Sequence, residues 1–125
     1  MSTILVAEDE RINQMAVRQF LEKSGYNVLC ASNGEEVLKV LADNDAVDII
    51  LMDVQMPRMD GVQAAQAIRA GEVPGIDVSV PILALTAYAM QGDRERFLAA
   101  GMTDYLSKPY EMEHLAEKIQ EHLKP

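Results

Sequence analysis

The sequence predicts an α/β domain, a parallel β-sheet with helices covering both faces. Three observations carry that reading. Short apolar runs alternate with segments of helical periodicity from one end of the chain to the other, the pattern that builds parallel sheets. Ile49-Ile50-Leu51-Met52 is apolar without interruption, as in a strand buried on both faces. Glycine and proline mark several of the boundaries between segments. A length of 125 residues makes one domain, large enough to bury about two-thirds of its unfolded surface.

Each element follows from its residues. Thr3 to Ala7 is a β-leaning apolar run that ends at Glu8-Asp9-Glu10. From Arg11 to about Ser24, Ile12, Met15, Ala16, Val17, Phe20 and Leu21 recur at helical spacing, and Gly25 is the expected stop. Tyr26 to Ala31 is the second strand. A helix opens at Asn33-Gly34 and runs to about Ala42. Ser32 or Asn33 is its cap, and Val37, Leu38, Val40 and Leu41 face inward.

Asp48 to Met52 is the third strand, followed at once by Asp53 and then by Pro57 and Gly61. Gly61 to about Ala70 reads as a helix carrying Val62, Ala65 and Ile68, and the weakly periodic stretch from Gly71 to Val80 as a loop. Pro81 to Thr86 is the fourth strand, with proline tolerated as its first residue. Met90 to Ala100 is a helix whose polar face carries Asp93, Arg94, Glu95 and Arg96, stopped at Gly101. Asp104 to Ser107 is a short fifth strand. Pro109 precedes a final helix, about Glu111 to Leu123, with Met112, Leu115, Ile119 and Leu123 inward.

Composition excludes several functions. A net charge of -9 disfavours direct binding to nucleic acid or to an anionic membrane, since both select basic surfaces. The single Cys30 permits no internal disulfide, and with two histidines there is no Cys/His zinc cluster. That cysteine usage suits a reducing cytosol. No apolar run approaches the roughly 20 residues of a membrane span, and no basic region precedes the N-terminal apolar stretch. Met52, Met90 and Met112 read as gap-fillers on apolar faces, Cys30 as a small buried hydrophobe, and His114 and His122 as surface residues.

The chemistry lies at the strand ends. In a parallel sheet they share one edge, which is where ligands bind. The edge gathers Glu8 and Asp9, Asp53, Thr86, and Ser107 with Lys108. Three carboxylates in one crevice repel one another, and a hard divalent cation resolves the repulsion, commonly Mg²⁺ shared with phosphate oxygens. Lys108 and Thr86 are then free to hold the oxygens of a phosphoryl group. Neither G-x-x-x-x-G-K-[ST] nor G-x-G-x-x-G is present, so the phosphoryl group arrives on a small donor or on another protein.

Four stretches carry a family likeness: Ile4-Leu5-Val6-Ala7-Glu8-Asp9-Glu10, Leu51-Met52-Asp53-Val54-Gln55-Met56-Pro57-Arg58-Met59-Asp60-Gly61, Ala84-Leu85-Thr86-Ala87 and Tyr105-Leu106-Ser107-Lys108-Pro109. In that order and spacing, over essentially the whole length, the chain resembles the receiver domain of two-component response regulators. The resemblance implies a flavodoxin-like (βα)5 fold with strand order 2-1-3-4-5. It implies that Asp53 accepts a phosphoryl group from a phosphohistidine, with Mg²⁺ or Mn²⁺ held directly by Asp9 and Asp53, through water by Glu8, and by the carbonyl of Gln55. Thr86 would bind a phosphoryl oxygen, Lys108 would pair with the phosphoryl group, and Tyr105 would turn inward as Thr86 is drawn over. Pro109 matches a proline whose preceding peptide bond is often cis, and Ala87 leaves room for the donor imidazole. Gln55 and Tyr88 stand where side chains hinder or orient the hydrolytic water.

The expected partner is a sensor histidine kinase or a histidine phosphotransfer domain, and the expected state a monomer or weak dimer. Asn13-Gln14 and Thr86-Ala87-Tyr88-Ala89-Met90-Gln91-Gly92-Asp93 look more like receivers of hybrid histidine kinases, or their single-domain relatives, than like those of DNA-binding regulators. Ile12, Met15 and Pro109 are the candidate docking residues; burial of Ile12 and Met15 in the core is the open alternative. Residues 1–125 are expected to form one receiver domain without an output module, since only Lys124-Pro125 follow the last helix. Met1-Ser2 leans to a stand-alone regulator, with a segment of a hybrid kinase as the alternative. The chain is expected to be no enzyme beyond promoting its own phosphorylation and dephosphorylation. Two other classes fit worse. A metal-dependent phosphatase with an Asp nucleophile keeps a second Asp where Gln55 stands. A flavin-binding protein of flavodoxin type would not place Glu8-Asp9-Glu10 against a flavin phosphate.

Overall fold

The computed structural model describes residues 2–44, 46–87 and 93–123. Five strands alternate with five helices: β1 (Thr3–Ala7), α1 (Arg11–Lys23), β2 (Asn27–Ala31), α2 (Gly34–Asp43), β3 (Ile49–Asp53), α3 (Gly61–Arg69), β4 (Ile82–Thr86), α4 (Asp93–Ala99), β5 (Asp104–Ser107) and α5 (Met112–His122). The strands form one parallel sheet in the order β2-β1-β3-β4-β5. This is the flavodoxin-like topology that the resemblance implied.

Side-chain alternation along the strands splits the core in two. Leu5 and Ala7, Ile50 and Met52, and Ile82 and Ala84 join Val37 and Leu41 of α2, Ala64, Ala65 and Ile68 of α3, and Phe97 of α4. Their neighbours Ile4 and Val6, Ile49 and Leu51, and Leu83 and Leu85 join Val17 and Leu21 of α1 and Leu115 and Ile119 of α5. The three central strands are therefore apolar along their middles, with polar residues only at their ends (Thr3, Asp53 and Thr86), because both faces are covered. Each fully buried Leu or Ile contributes about 2–3 kcal/mol by its removal from water.

Boundaries differ from the sequence expectation by a residue or so, and for physical reasons. β3 begins at Ile49 and includes Asp53; just before it, Asp48 donates its N–H to the Thr3 carbonyl at 2.9 Å and accepts the Thr3 N–H on its carboxylate at 2.8 Å. The α2 cap is Asn33, whose side chain accepts the Glu36 N–H. A capping box between Asp60 and Gln63 starts α3. Gly25 and Gly101 take left-handed conformations with φ of 96° and 99°. There they close α1 and α4 through Schellman pairs, Tyr26 N–H to Leu21 and Met102 N–H to Phe97. The start of the α4 segment, with Tyr88 and Met90, lies outside the described residues. Residues 71–80 form the expected loop, tied down by Arg69, which donates to the carbonyls of Gly101 and Val78 at 2.7 Å each.

Candidate phosphoryl and metal site

The strand order reverses direction at β1, whose neighbours are β2 on one side and β3 on the other. The C-terminal ends of β1 and β3 flank this switch point, where open α/β sheets bind ligands. Glu8 follows β1 directly. Its N–H continues the ladder to the Ala31 carbonyl at 3.0 Å, and the Gln14 side-chain amide donates to the carbonyls of Glu8 and Ala31. Glu8 is thereby held as a buried residue, whereas Asp9 is exposed. Asp53 ends β3, buried, and its Oδ1 accepts the Gln55 N–H at 3.1 Å. Beyond it the Gly61 N–H donates to the Val54 carbonyl at 3.0 Å, folding the loop back over the strand end.

Lys108 links the other side. Its N–H donates to the Thr86 carbonyl at 2.7 Å. Its ammonium donates to Glu8 Oε1 and Asp53 Oδ2, both at 3.1 Å. Thr86 is buried at the end of β4, opposite Ser107 of β5. Tyr105 is half-buried and packs against the core. The Lys108–Pro109 peptide bond is cis.

Electrostatics explain the arrangement. One ligand oxygen from each of Glu8, Asp9 and Asp53 lies within 4.8 Å of the other two, so three carboxylates face one ammonium. Burial, then hydrogen bonding and repulsion with Asp53, push the Glu8 carboxyl up to about 7, against the pull of Lys108. Burial works against the Lys108 charge, but Glu8 and Asp53 outweigh it and hold the ammonium above its usual range. A hard dication fits a set of three clustered carboxylate donors short of positive charge.

The structure thus brings Glu8, Asp53, Thr86 and Lys108 into one network with Asp9 at its rim. A cleft of about 860 Å³ opens beside it, with Asp9, Gln55 and Thr86 in its walls. A smaller groove of about 360 Å³ runs between α1 and the β5–α5 connection, past Lys108, Pro109 and Tyr110. Ile12 and Met15 are 82% and 46% exposed, so of their two readings the structure favours the surface.

Sequence reasoning missed other walls of the cleft, Met56, Asp60 and Arg96. Helical periodicity placed Arg96 on a polar face and carried no signal for which surface that face adjoins. It also read His122 as a surface residue, whereas its side chain is mostly buried. Its Nε2 meets Asp104 Oδ2 at 2.9 Å, and Lys118 Nζ donates to the same oxygen at 2.9 Å. Burial pushes the Asp104 carboxyl up, but these partners and the Tyr105 N–H together hold it below its ordinary value. Cys30 is half-exposed on the edge strand β2, not buried.

Comparison with known proteins places this geometry. The family model for the response regulator receiver domain matches residues 4–120. The sensor protein GacS of Pseudomonas syringae pv. syringae is 40% identical over 116 residues, which is 93% of this chain and 13% of that protein. The chain thus spans a small part of that relative. The receiver domain of sensor histidine kinase PA1611 from Pseudomonas aeruginosa superposes with a TM-score of 0.84 at 41% identity, covering 97% of this chain and 96% of that one. That structure has a magnesium ion coordinated in its active-site cleft. The receiver domain of Ssk1 from Saccharomyces cerevisiae, co-crystallised with the histidine phosphotransfer protein Ypd1, gives a TM-score of 0.86 at 34% identity, with 97% and 88% coverage.

Proposed function

The chain belongs to the response regulator receiver domain family, and on that premise we propose that it is a phosphoacceptor switch in a two-component phosphorelay. The observation that supports this most strongly is the placement of Lys108 between Glu8 and Asp53, at the edge where Asp9 and Thr86 also lie. Asp53 attacks the phosphorus of a phosphohistidine. The new O–P bond forms as the P–N bond breaks, and the electron pair leaves on the imidazole nitrogen, which takes up a proton.

Glu8, Asp9 and Asp53, with the carbonyl of Gln55, would hold Mg²⁺ or Mn²⁺, and Glu8 would act through water. Such an ion supplies positive charge to the phosphoryl oxygens in the transition state. The residues of the chain provide the rest. Lys108 exchanges its contact with Asp53 for the phosphoryl group, so its charge is already in place when the new anion forms. The Thr86 hydroxyl binds a phosphoryl oxygen, and Tyr105 moves inward after it, carrying the change to a partner-binding face. Ala87 leaves room for the donor imidazole. The Gln55 side chain, exposed beside Asp53, bears on the attack of water that ends the signal.

The partner that fits is a histidine phosphotransfer domain or a kinase dimerisation domain. Exposed Ile12 and Met15 with Pro109 offer it an apolar contact beside the site, and the similar Ssk1 receiver domain crystallises with the histidine phosphotransfer protein Ypd1. The protein acts as a monomer or weak dimer, promotes only its own phosphorylation and dephosphorylation, and works in the cytoplasm. Among the described residues no helix is long and apolar enough to cross a membrane.

Beryllofluoride, a phosphoryl mimic, tests the reading. With Mg²⁺ present and ligand at a hundred times its Kd, thermal unfolding shifts by the equivalent of about 2.7 kcal/mol. The shift disappears in Asp53→Asn and on chelation. A shift of equal size in Asp53→Asn would overturn the assignment.

A further inference from the structure

The cleft beside Asp53 carries an uneven set of charges. Asp9, Asp60 and Asp93 stand in its walls, and Arg96 is the one cation among its described lining residues. The whole chain adds a net charge of -9, whose field opposes the approach of an anion. Yet every small molecule able to deliver a phosphoryl group is an anion. Arg96 is also placed. Its guanidinium lies 5.1 Å from the ring centroid of Phe97, a buried residue of the core, and its Nη2 is 3.9 Å from Asp93 Oδ1. A planar cation set over a fixed aromatic ring keeps its orientation while its outer N–H groups stay available.

Resting on the phosphoacceptor reading above, we propose that Arg96 determines specificity among small phosphodonors, drawing dianionic acyl phosphates into the cleft. In the step it serves, an Asp53 oxygen bonds to the phosphorus of acetyl phosphate. The bond between that phosphorus and the acetyl oxygen breaks, and acetate leaves with the electron pair. Arg96 meets the donor's charge on entry and takes no part in the bond changes. Its effect therefore scales with donor charge and fades with salt.

The test follows phosphorylation of the full chain with Mg²⁺ at low ionic strength, for wild type and for Arg96→Lys, Arg96→Gln and Arg96→Glu. Two donors are compared at neutral pH: acetyl phosphate, a dianion, and phosphoramidate, a monoanion. With acetyl phosphate, Lys retains the wild-type rate, Gln lowers it roughly threefold and Glu roughly tenfold, as for charges roughly 10 Å apart in water. Phosphoramidate loses less in each variant, and high salt erases the differences. Equal loss with both donors, insensitive to salt, would mark a structural role and overturn the proposal, as would a Glu variant as fast as wild type. If wild type itself accepts phosphate from neither donor, the phosphoacceptor reading falls first. If wild type is modified and Arg96→Glu is modified equally fast, only the role of Arg96 falls.

Discussion

Gly61→Ala separates space from backbone conformation at the site. Gly61 opens α3 and donates its N–H to the Val54 carbonyl at 3.0 Å. A Cβ added there would stand 2.4 Å from the Asp53 carbonyl oxygen, 2.9 Å from Met52 Cγ and 3.0 Å from Val54 Cα. Ordinary nonbonded contact lies near 3.5 Å. Met52 can turn aside, but the Asp53 carbonyl belongs to β3 and cannot move without moving Asp53 itself. Alanine gains at most about 1 kcal/mol in a helix, and overpacking costs about 3 kcal/mol, so the variant is about 2 kcal/mol less stable. Urea unfolding reads this as a lower midpoint at unchanged slope, and thermal unfolding as a drop of about 8 °C. Phosphorylation at Asp53 slows as well. Gly25→Ala is the control, because nothing lies within 4 Å of its added Cβ and its φ is 96°. It loses about 1 kcal/mol from conformation alone and leaves phosphorylation unchanged. A Gly61→Ala protein as stable as wild type would refute the steric reasoning.

Two further perturbations test the fold around the site. Arg58 holds φ at 65°, and its contact with Glu35 is a 3.8 Å pair between exposed groups, worth little. Arg58→Asn, which tolerates that conformation better, should raise stability by about 0.5 kcal/mol, and a lower thermal midpoint would contradict this. Asp104→Asn removes the negative charge that Lys118 and His122 share and should cost about 1–2 kcal/mol at pH 7. The folded carboxyl lies below its value of 3.8 in an ordinary setting. Its contribution is therefore present above that pH and is lost as pH falls through the folded value. Urea midpoints of wild type should fall more steeply than those of Asp104→Asn on acidification, and parallel pH profiles would sink the assignment.

Most of the site was legible because it lies at strand ends, and strand ends can be read from where apolar runs stop. Glu8 and Asp53 end such runs, and Lys108 sits in the short gap between β5 and Pro109. That Lys108 bridges Glu8 and Asp53 directly was less legible, since the sequence reading gave its ammonium only a phosphoryl partner. The pair of His122 and Asp104 joins residues 18 apart, from the end of α5 to the start of β5. Such a pair depends on how far the helix runs back along the sheet, and periodicity says nothing of that length. Cys30 misled because its strand looks like the others, while its place at the sheet edge leaves one side uncovered. The Asp60–Gln63 capping box did have a sequence signal, an Asp followed three residues later by Gln before an apolar stretch.

The central claim, that Asp53 is a metal-assisted phosphoacceptor, is tested most directly by intact-mass and peptide analysis after incubation with Mg²⁺ and acetyl phosphate. One added phosphoryl group is expected, mapped to Asp53, absent when the metal is chelated and absent in Asp53→Asn. Modification that persists in Asp53→Asn, or a wild-type chain that stays unmodified with Mg²⁺ present, would contradict it.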